Sequence, residues 1–467
     1  MRRSRVLAGI ALTAMLAVAG CGGGGADGGG DAGGSAEDNA LTVWTTEDQA
    51  DRVAAQQKIM DAWAQKSGAT VKLVAVAEDQ LTTVITSAAA ANDLPDVIAA
   101  LSINGVNQLR TDDLLDVEVA KEIVDGLGTE TFQQRTLELT SADGDQLAVP
   151  SDGWAQLLFY RSDLFKAAGL AEPKTYDDIQ QAAKTLHKGK TAGIVAGTAP
   201  ADSFTQQTFE WTALANGCQL VDDAGTVTLN SPQCVETFNF YGPLMKDYSV
   251  PGNQDADTTR ATYFAGDAAM LIWSTFLLDE LAGLRNDALP TCDQCKADPT
   301  WLAKNTGVVA TLQGPSGSAP ASFGEVVSWS VLTDASPKTK DLVTYMMSDG
   351  YLDWLAIAPE GKVPTRSGTP DNPKEYSDAW SKLAAGVDKE EMLSNIYSLE
   401  TLQAVSTSLG SFERWGILQN QGALAGAVAG QFVVPQEVAK MINSGLSATD
   451  AANEAQKAAE GIKQDLG

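Results

Sequence analysis

The chain has 467 residues, 44% of them hydrophobic, enough for two or three domains of about 150 residues with sizeable cores. It carries 60 Asp and Glu against 32 Lys and Arg, a formal net charge of -28, so nucleic acid and anionic headgroups are repelled by most of its surface and are not expected partners. A single histidine, His187, excludes zinc sites built on two or three imidazoles and leaves one base for a Ser-His-Asp arrangement. No metal and no cofactor is expected.

Residues 1–20 follow the plan of a secretory signal: Arg2, Arg3 and Arg5, an apolar run from Val6 to Val18, then small residues. The run is shorter than the roughly 20 residues that span a bilayer. Its close, Leu16-Ala17-Val18-Ala19-Gly20-Cys21, resembles the bacterial lipobox, which makes Cys21 the expected lipidated first residue of the mature chain. Residues 21–39 read as a tether, with nine glycines among the fifteen positions from Gly22 to Ala36, a composition that behaves as flexible coil. Two or more acyl chains on one cysteine give stable anchoring, which places the folded body on the outer face of the cell membrane.

From Leu41 onwards strand and helix signals alternate. Leu41–Trp44 is β-rich, Ala50, Val53, Met60, Trp63 and Ala64 recur at helical spacing, and Val71–Val74 is extended again, so the spacing predicts a βαβ unit and a parallel sheet. A helix over 82–91 and a buried strand over 96–100 follow. Leu147–Pro150 and Leu157–Tyr160 read as two runs bracketing a glycine turn. Helices are predicted over 176–186, 209–215, 235–246 and 338–347, a strand over 323–332, and an Ala-rich terminal helix presenting Ala451, Ala455, Ala458, Ala459 and Ile462 on one face. Cys218 and Cys234 flank the turn residues Asp222 to Gly225; Cys292 and Cys295 form a Cys-x-x-Cys beside Pro290. Two local structural disulfides are expected in an exported chain, with a redox pair or half a zinc knuckle as the sharper alternative for Cys292 and Cys295. The alternation favours an α/β fold of two lobes.

One ordered series of residues carries a family resemblance: Gln146-Leu147-Ala148-Val149-Pro150, then Leu158-Phe159-Tyr160-Arg161-Ser162-Asp163-Leu164-Phe165 through Gly169-Leu170, then Pro173-Lys174-Thr175-Tyr176-Asp177-Asp178. Pro95-Asp96-Val97, Ala215-Asn216-Gly217, Phe264-Ala265-Gly266-Asp267-Ala268-Ala269-Met270 and Gly361-Lys362-Val363-Pro364-Thr365 fall in order around it. The series resembles the extracellular solute-binding proteins of carbohydrate ABC importers, family 1, in the branch that includes maltose-binding protein. That resemblance implies a two-lobed periplasmic-binding-protein-like fold with a hinge and an inter-lobe cleft. One lobe takes residues 40–148 plus 306–357, the other 149–305 plus 358–467. It implies a carbohydrate ligand, a di- or oligosaccharide, delivered by a monomer to the permease subunits of an ABC transporter, with no reaction catalysed.

Sugars present hydroxyls to bidentate polar groups and CH-rich faces to flat rings. Ligand-binding candidates are therefore Asp48, with Glu47 as its neighbour, and Asn104 near strand ends. Trp154 lies at the first lobe crossing, and Trp273 and Phe276 follow Met270. Trp211, Gln207, Glu325, Trp329, Arg366 and Phe432 are further candidates in family contact regions. Asp48 also reads as a helix cap. The competing readings are a non-sugar solute in the same fold and a surface glycoside hydrolase with paired carboxylates.

Overall fold

The computed structural model describes residues 39–467; the expected signal segment, the lipidated Cys21 and almost all of the tether lie outside the described residues. Strands β1 (Ala40–Thr45), β2 (Thr70–Ala75) and β3 (Val97–Ser102) pair in parallel, with β1 central and helix Ala50–Ser67 crossing between the first two. Alternation along these strands fills both faces of the sheet. Leu41, Val43 and Val97 join Trp63 and Trp354 in one buried cluster, while Trp44, Ile98 and Leu101 join Leu109 in the other. This is the first lobe, a sheet between two helical layers.

Two short strands, β4 (Ser141–Ala142) and β5 (Asp145–Gln146), make a hairpin before β6 (Val149–Arg161). The expectation of two runs around a turn is corrected here: β6 is one strand of 13 residues. Its glycine, Gly153, serves approach rather than turning, because a Cβ there would stand 2.7 Å from the Glu325 carbonyl oxygen of the neighbouring strand. That neighbour is β9 (Ser322–Val331), which pairs with β6 from Val149 to Ala155 and with β3 on its other side. Beyond Ala155, β6 pairs instead with β7 (Met270–Ser274) and β8 (Thr306–Val309). One strand thus belongs to both lobes.

In the second lobe, Leu158 joins Phe209, Trp211, Phe238 and Ile272 on one face of β6, and Leu157 and Phe159 join Tyr263, Leu271 and Leu277 on the other. Helices Tyr176–Leu186, Ser203–Ala215, Pro232–Tyr248 and Ala448–Leu466 fall where periodicity puts them. The last buries Ala451, Ala452, Ala455, Ala459 and Ile462; Ala458, expected on that face, is exposed. The short strands β10 (Val363–Pro364), β11 (Ala384–Ala385), β12 (Glu391–Met392) and β13 (Phe412–Glu413) complete the sheets, β10 on β6 and β13 on β9. Both expected disulfides are formed, Cys218–Cys234 and Cys292–Cys295. Among the described residues no helix is long and apolar enough to cross a membrane.

Candidate functional site

A cleft with a cavity of about 490 Å³ opens between the lobes. The first lobe supplies it from the carboxyl ends of β1 and β3, where ligands of open α/β sheets gather: Glu47, Asp48 and Arg52 after β1, Ala100, Ser102 and Asn104 around the end of β3. At this end the β3–β9 ladder is irregular between Ile98 and Leu101, and Ala100 takes a left-handed φ of 56°, a local distortion of the kind that re-aims chain beside binding sites. The second lobe contributes Gln206, Gln207 and Glu210 from helix Ser203–Ala215, with Phe276 and Arg414; the crossing strands add Asp152, Trp154, Phe323 and Glu325.

Three rings form one wall. The Trp154 indole lies with its centroid 6.4 Å from Phe276 and 6.1 Å from Phe323, tilted to both. Phe276 is seated by Gly361, whose missing Cβ would fall 1.9 Å from the ring. Two charged groups also line the cleft region. Lys362, 2% exposed, reaches Glu47 and, at 3.4 Å, Asp152, and lies 4.2 Å over the Trp354 ring. Arg52 holds the other oxygen of Glu47 at 3.0 Å. Burial would raise the Glu47 carboxyl, but the Lys362 and Arg52 charges outweigh it and hold it below its ordinary value. In the second group Arg414, stacked 4.9 Å over Phe323, pairs with Glu325 at 2.5 Å and with Glu210 at 3.8 Å. Glu325 also accepts from the Ile103 amide, 2.8 Å, tying β9 to the first lobe. Glu210 accepts from the Trp415 amide and from Gln206, and its burial pushes its carboxyl up.

Of the residues singled out in the sequence, Glu47, Asp48, Asn104, Trp154, Gln207, Phe276 and Glu325 line the cleft. Asp48 does not cap the following helix, whose cap position is Gln49 without a side-chain bond. The others are placed elsewhere. Trp211 and Trp329 are fully buried in the cores of the second and first lobes, where the large apolar surface of an indole is best hidden from water. Trp273 packs behind the cleft, its indole NH donating to the Ala256 carbonyl at 3.1 Å. Arg366 is a buried clamp, donating to the carbonyls of Leu127 and Met347, both at 2.7 Å, and to Thr131 Oγ1. Phe432 starts helix Val433–Ser444 with φ 54° and is not among the cleft residues.

Arg52, Asp152, Gln206, Glu210, Phe323 and Arg414 line the cleft, and the buried Lys362 pairs with two of its carboxylates; sequence reasoning did not single these out. Lys362 sat inside the recognised Gly-Lys-Val-Pro-Thr turn, the one available signal. Among the described residues no group of three acidic, histidine or cysteine side chains is placed to hold a metal ion. The cleft combines aromatic rings with carboxylates and amides, and its guanidinium and ammonium groups are paired with carboxylates.

A profile described as bacterial extracellular solute-binding protein matches residues 46–288. YcjN of Escherichia coli (strain K12), whose name assigns it to ABC-transporter periplasmic binding, is 25% identical over 370 residues, covering 77% of this chain and 80% of its own. Among solved structures, the cyclic alpha-maltosyl-1,6-maltose binding protein from Arthrobacter globiformis matches with a TM-score of 0.67 at 18% identity, over 91% of this chain and 98% of that one. The maltose-bound MalE3 of T. maritima matches with a TM-score of 0.62 at 18% identity, over 91% and 99%. At these identities the structures establish a shared two-lobed fold.

Proposed function

The chain belongs to the bacterial extracellular solute-binding proteins, and from that premise we propose that its cleft captures a carbohydrate, a di- or oligosaccharide, for delivery to the permease of an ABC transporter. The body would work as a monomer, anchored through a lipidated Cys21 to the outer face of the cell membrane, with no chemistry done on the guest. The observation that carries this reading is a cavity of about 490 Å³ lined by the clustered rings of Trp154, Phe276 and Phe323 together with carboxylate and amide groups. That size falls within the roughly 300–1,000 Å³ of small-molecule sites.

A sugar lying on the rings and hydrogen-bonded to Asp48 and Asn104 of the first lobe and Gln207 of the second touches both lobes at once. It therefore favours the closed arrangement by its differential affinity for it. Calorimetric titration with a panel of mono-, di- and oligosaccharides tests the reading. At least one should bind, and Trp154→Ala should weaken it about tenfold or more, because covering a large apolar side chain contributes about 1.5–3 kcal/mol. A panel that gives no heat with any sugar refutes the carbohydrate assignment.

A further inference from the structure

The formal charge left unpaired around the cleft is of one sign. Its cations are spent within the protein: Arg52 on Glu47, Lys362 on Glu47 and Asp152, Arg414 on Glu325 and Glu210. Six carboxylates, Glu47, Asp48, Glu78, Asp152, Glu210 and Glu325, stand on the cleft wall against these three positive groups. Asp48 and Glu78 are exposed at the cleft and have no ion-pair partner among the described residues. Amide oxygens add to the excess of acceptors. Gln206 is 5% exposed, its Nε2 donates to Glu210, and its Oε1 is left buried without a donor; Asn104 Oδ1 is in the same position. Among the cleft's buried side-chain atoms only Arg414 Nε is a donor without a hydrogen-bond acceptor.

A guest matched to this lining brings donors and positive charge, and an ammonium group supplies both, with three N–H donors and no acceptor. We infer that the solute is a basic sugar, a saccharide carrying at least one free amine, and that Asp48 and Glu78 select it over its neutral and phosphorylated counterparts. This rests on the carbohydrate reading above. A phosphate ester meets the opposite situation: no free guanidinium or ammonium to receive it and a surplus of negative charge to repel it.

The test is a set of matched sugars titrated into the mature protein at about pH 6: glucosamine against glucose and N-acetylglucosamine, galactosamine against galactose, and the glucosamine disaccharide against cellobiose and its N-acetylated form. Within at least one set the free amine should bind at least tenfold more tightly, and a sugar phosphate should give no heat. The double variant D48N/E78Q changes exposed side chains only, and it should bring the amine's affinity down to that of the neutral partner. Equal affinity of amine and neutral sugar, or a preference that survives D48N/E78Q, overturns this inference while leaving the carbohydrate reading standing. No heat with any sugar overturns both.

Discussion

Residues 360 to 362 show how much a single stretch can carry. The Lys362 ammonium fastens Glu47 and Asp152, Gly361 seats Phe276, and Glu360 is buried beside Asp279 of helix Leu277–Leu281. Asp279 Oδ2 and Glu360 Oε2 are both buried without a hydrogen-bond partner among the described residues. Burial, reinforced by the like charge of Glu360 and opposed by Arg285, pushes the Asp279 carboxyl up to about 7, so the folded state holds a proton that the unfolded chain releases near its ordinary value of 3.8. An acid with a raised folded pKa contributes stability that is present at low pH and lost as the pH climbs through the folded pKa. The melting temperature of wild type should therefore decline relative to that of D279N between about pH 4 and pH 7 and run parallel to it above that range. Parallel melting curves across that range would remove the assignment. Little of this was legible in the residues themselves. Trp154 and Phe276 could be picked out because they sit at recognisable points of an ordered motif series. Trp211 and Trp329 could not be told from them, since composition does not say which face of its element an indole takes. The carboxylate partners of Lys362, and Leu127 and Thr131 among the partners of Arg366, come from chain segments more than two hundred residues away, and no local pattern announces such pairings.

At the scale of elements the reading is better, because periodicity is local. The βαβ start, the long helices and the terminal Ala-rich helix all follow from apolar spacing. Strands of two residues have no period to detect, and β6 was split because a glycine inside a strand carries the same local signal as a turn. Its actual use, the close approach of β6 and β9, is a tertiary fact. The Gly-Ala helix Gly422–Gly430 is a second case. It belongs to the second lobe through Leu424 and Val428 and packs on helix Ile103–Thr111, whose Val106 and Leu109 are in the first-lobe core. A Cβ on Gly422 would stand 2.7 Å from Cγ and 3.0 Å from Cβ of Asn107. Gly422→Val should push these helices apart. Overpacking costs about 1–3 kcal/mol, and here it falls only on the arrangement in which the lobes touch. Apparent sugar affinity should drop by about five- to 150-fold while the ligand-free protein keeps its secondary structure and melting temperature. Unchanged affinity would show that this contact is not formed in the bound state.

For the molecule as a whole, two cores joined by β6, β9 and the stretch leading to β10 make a hinged body whose lobes also meet at the helix pair just described, at Gln133 with the Ser406 carbonyl, 3.0 Å, at Arg135 with Glu413, 3.0 Å, and at Asn420 with Asp143, 2.8 Å. The partly exposed ion pair among them is worth about 0–1 kcal/mol, and a guest that touches both lobes adds to these contacts. A ligand at a hundredfold excess over its dissociation constant stabilises the state it binds by about 2.7 kcal/mol, enough to change the ratio of closed to open molecules roughly a hundredfold if the open form does not bind. Small-angle scattering should accordingly show a larger radius of gyration for the free protein and a contraction on saturation toward the value of about 22 Å for a compact chain of the described length. Raising the salt concentration should narrow the gap between free and saturated protein, because screening weakens repulsion across the open, solvated cleft more than it weakens the buried pairs of Lys362 and Arg414. A radius that stays constant with and without a tightly bound sugar would mean that the lobes are locked in one arrangement and that recognition by the transporter depends on something other than closure.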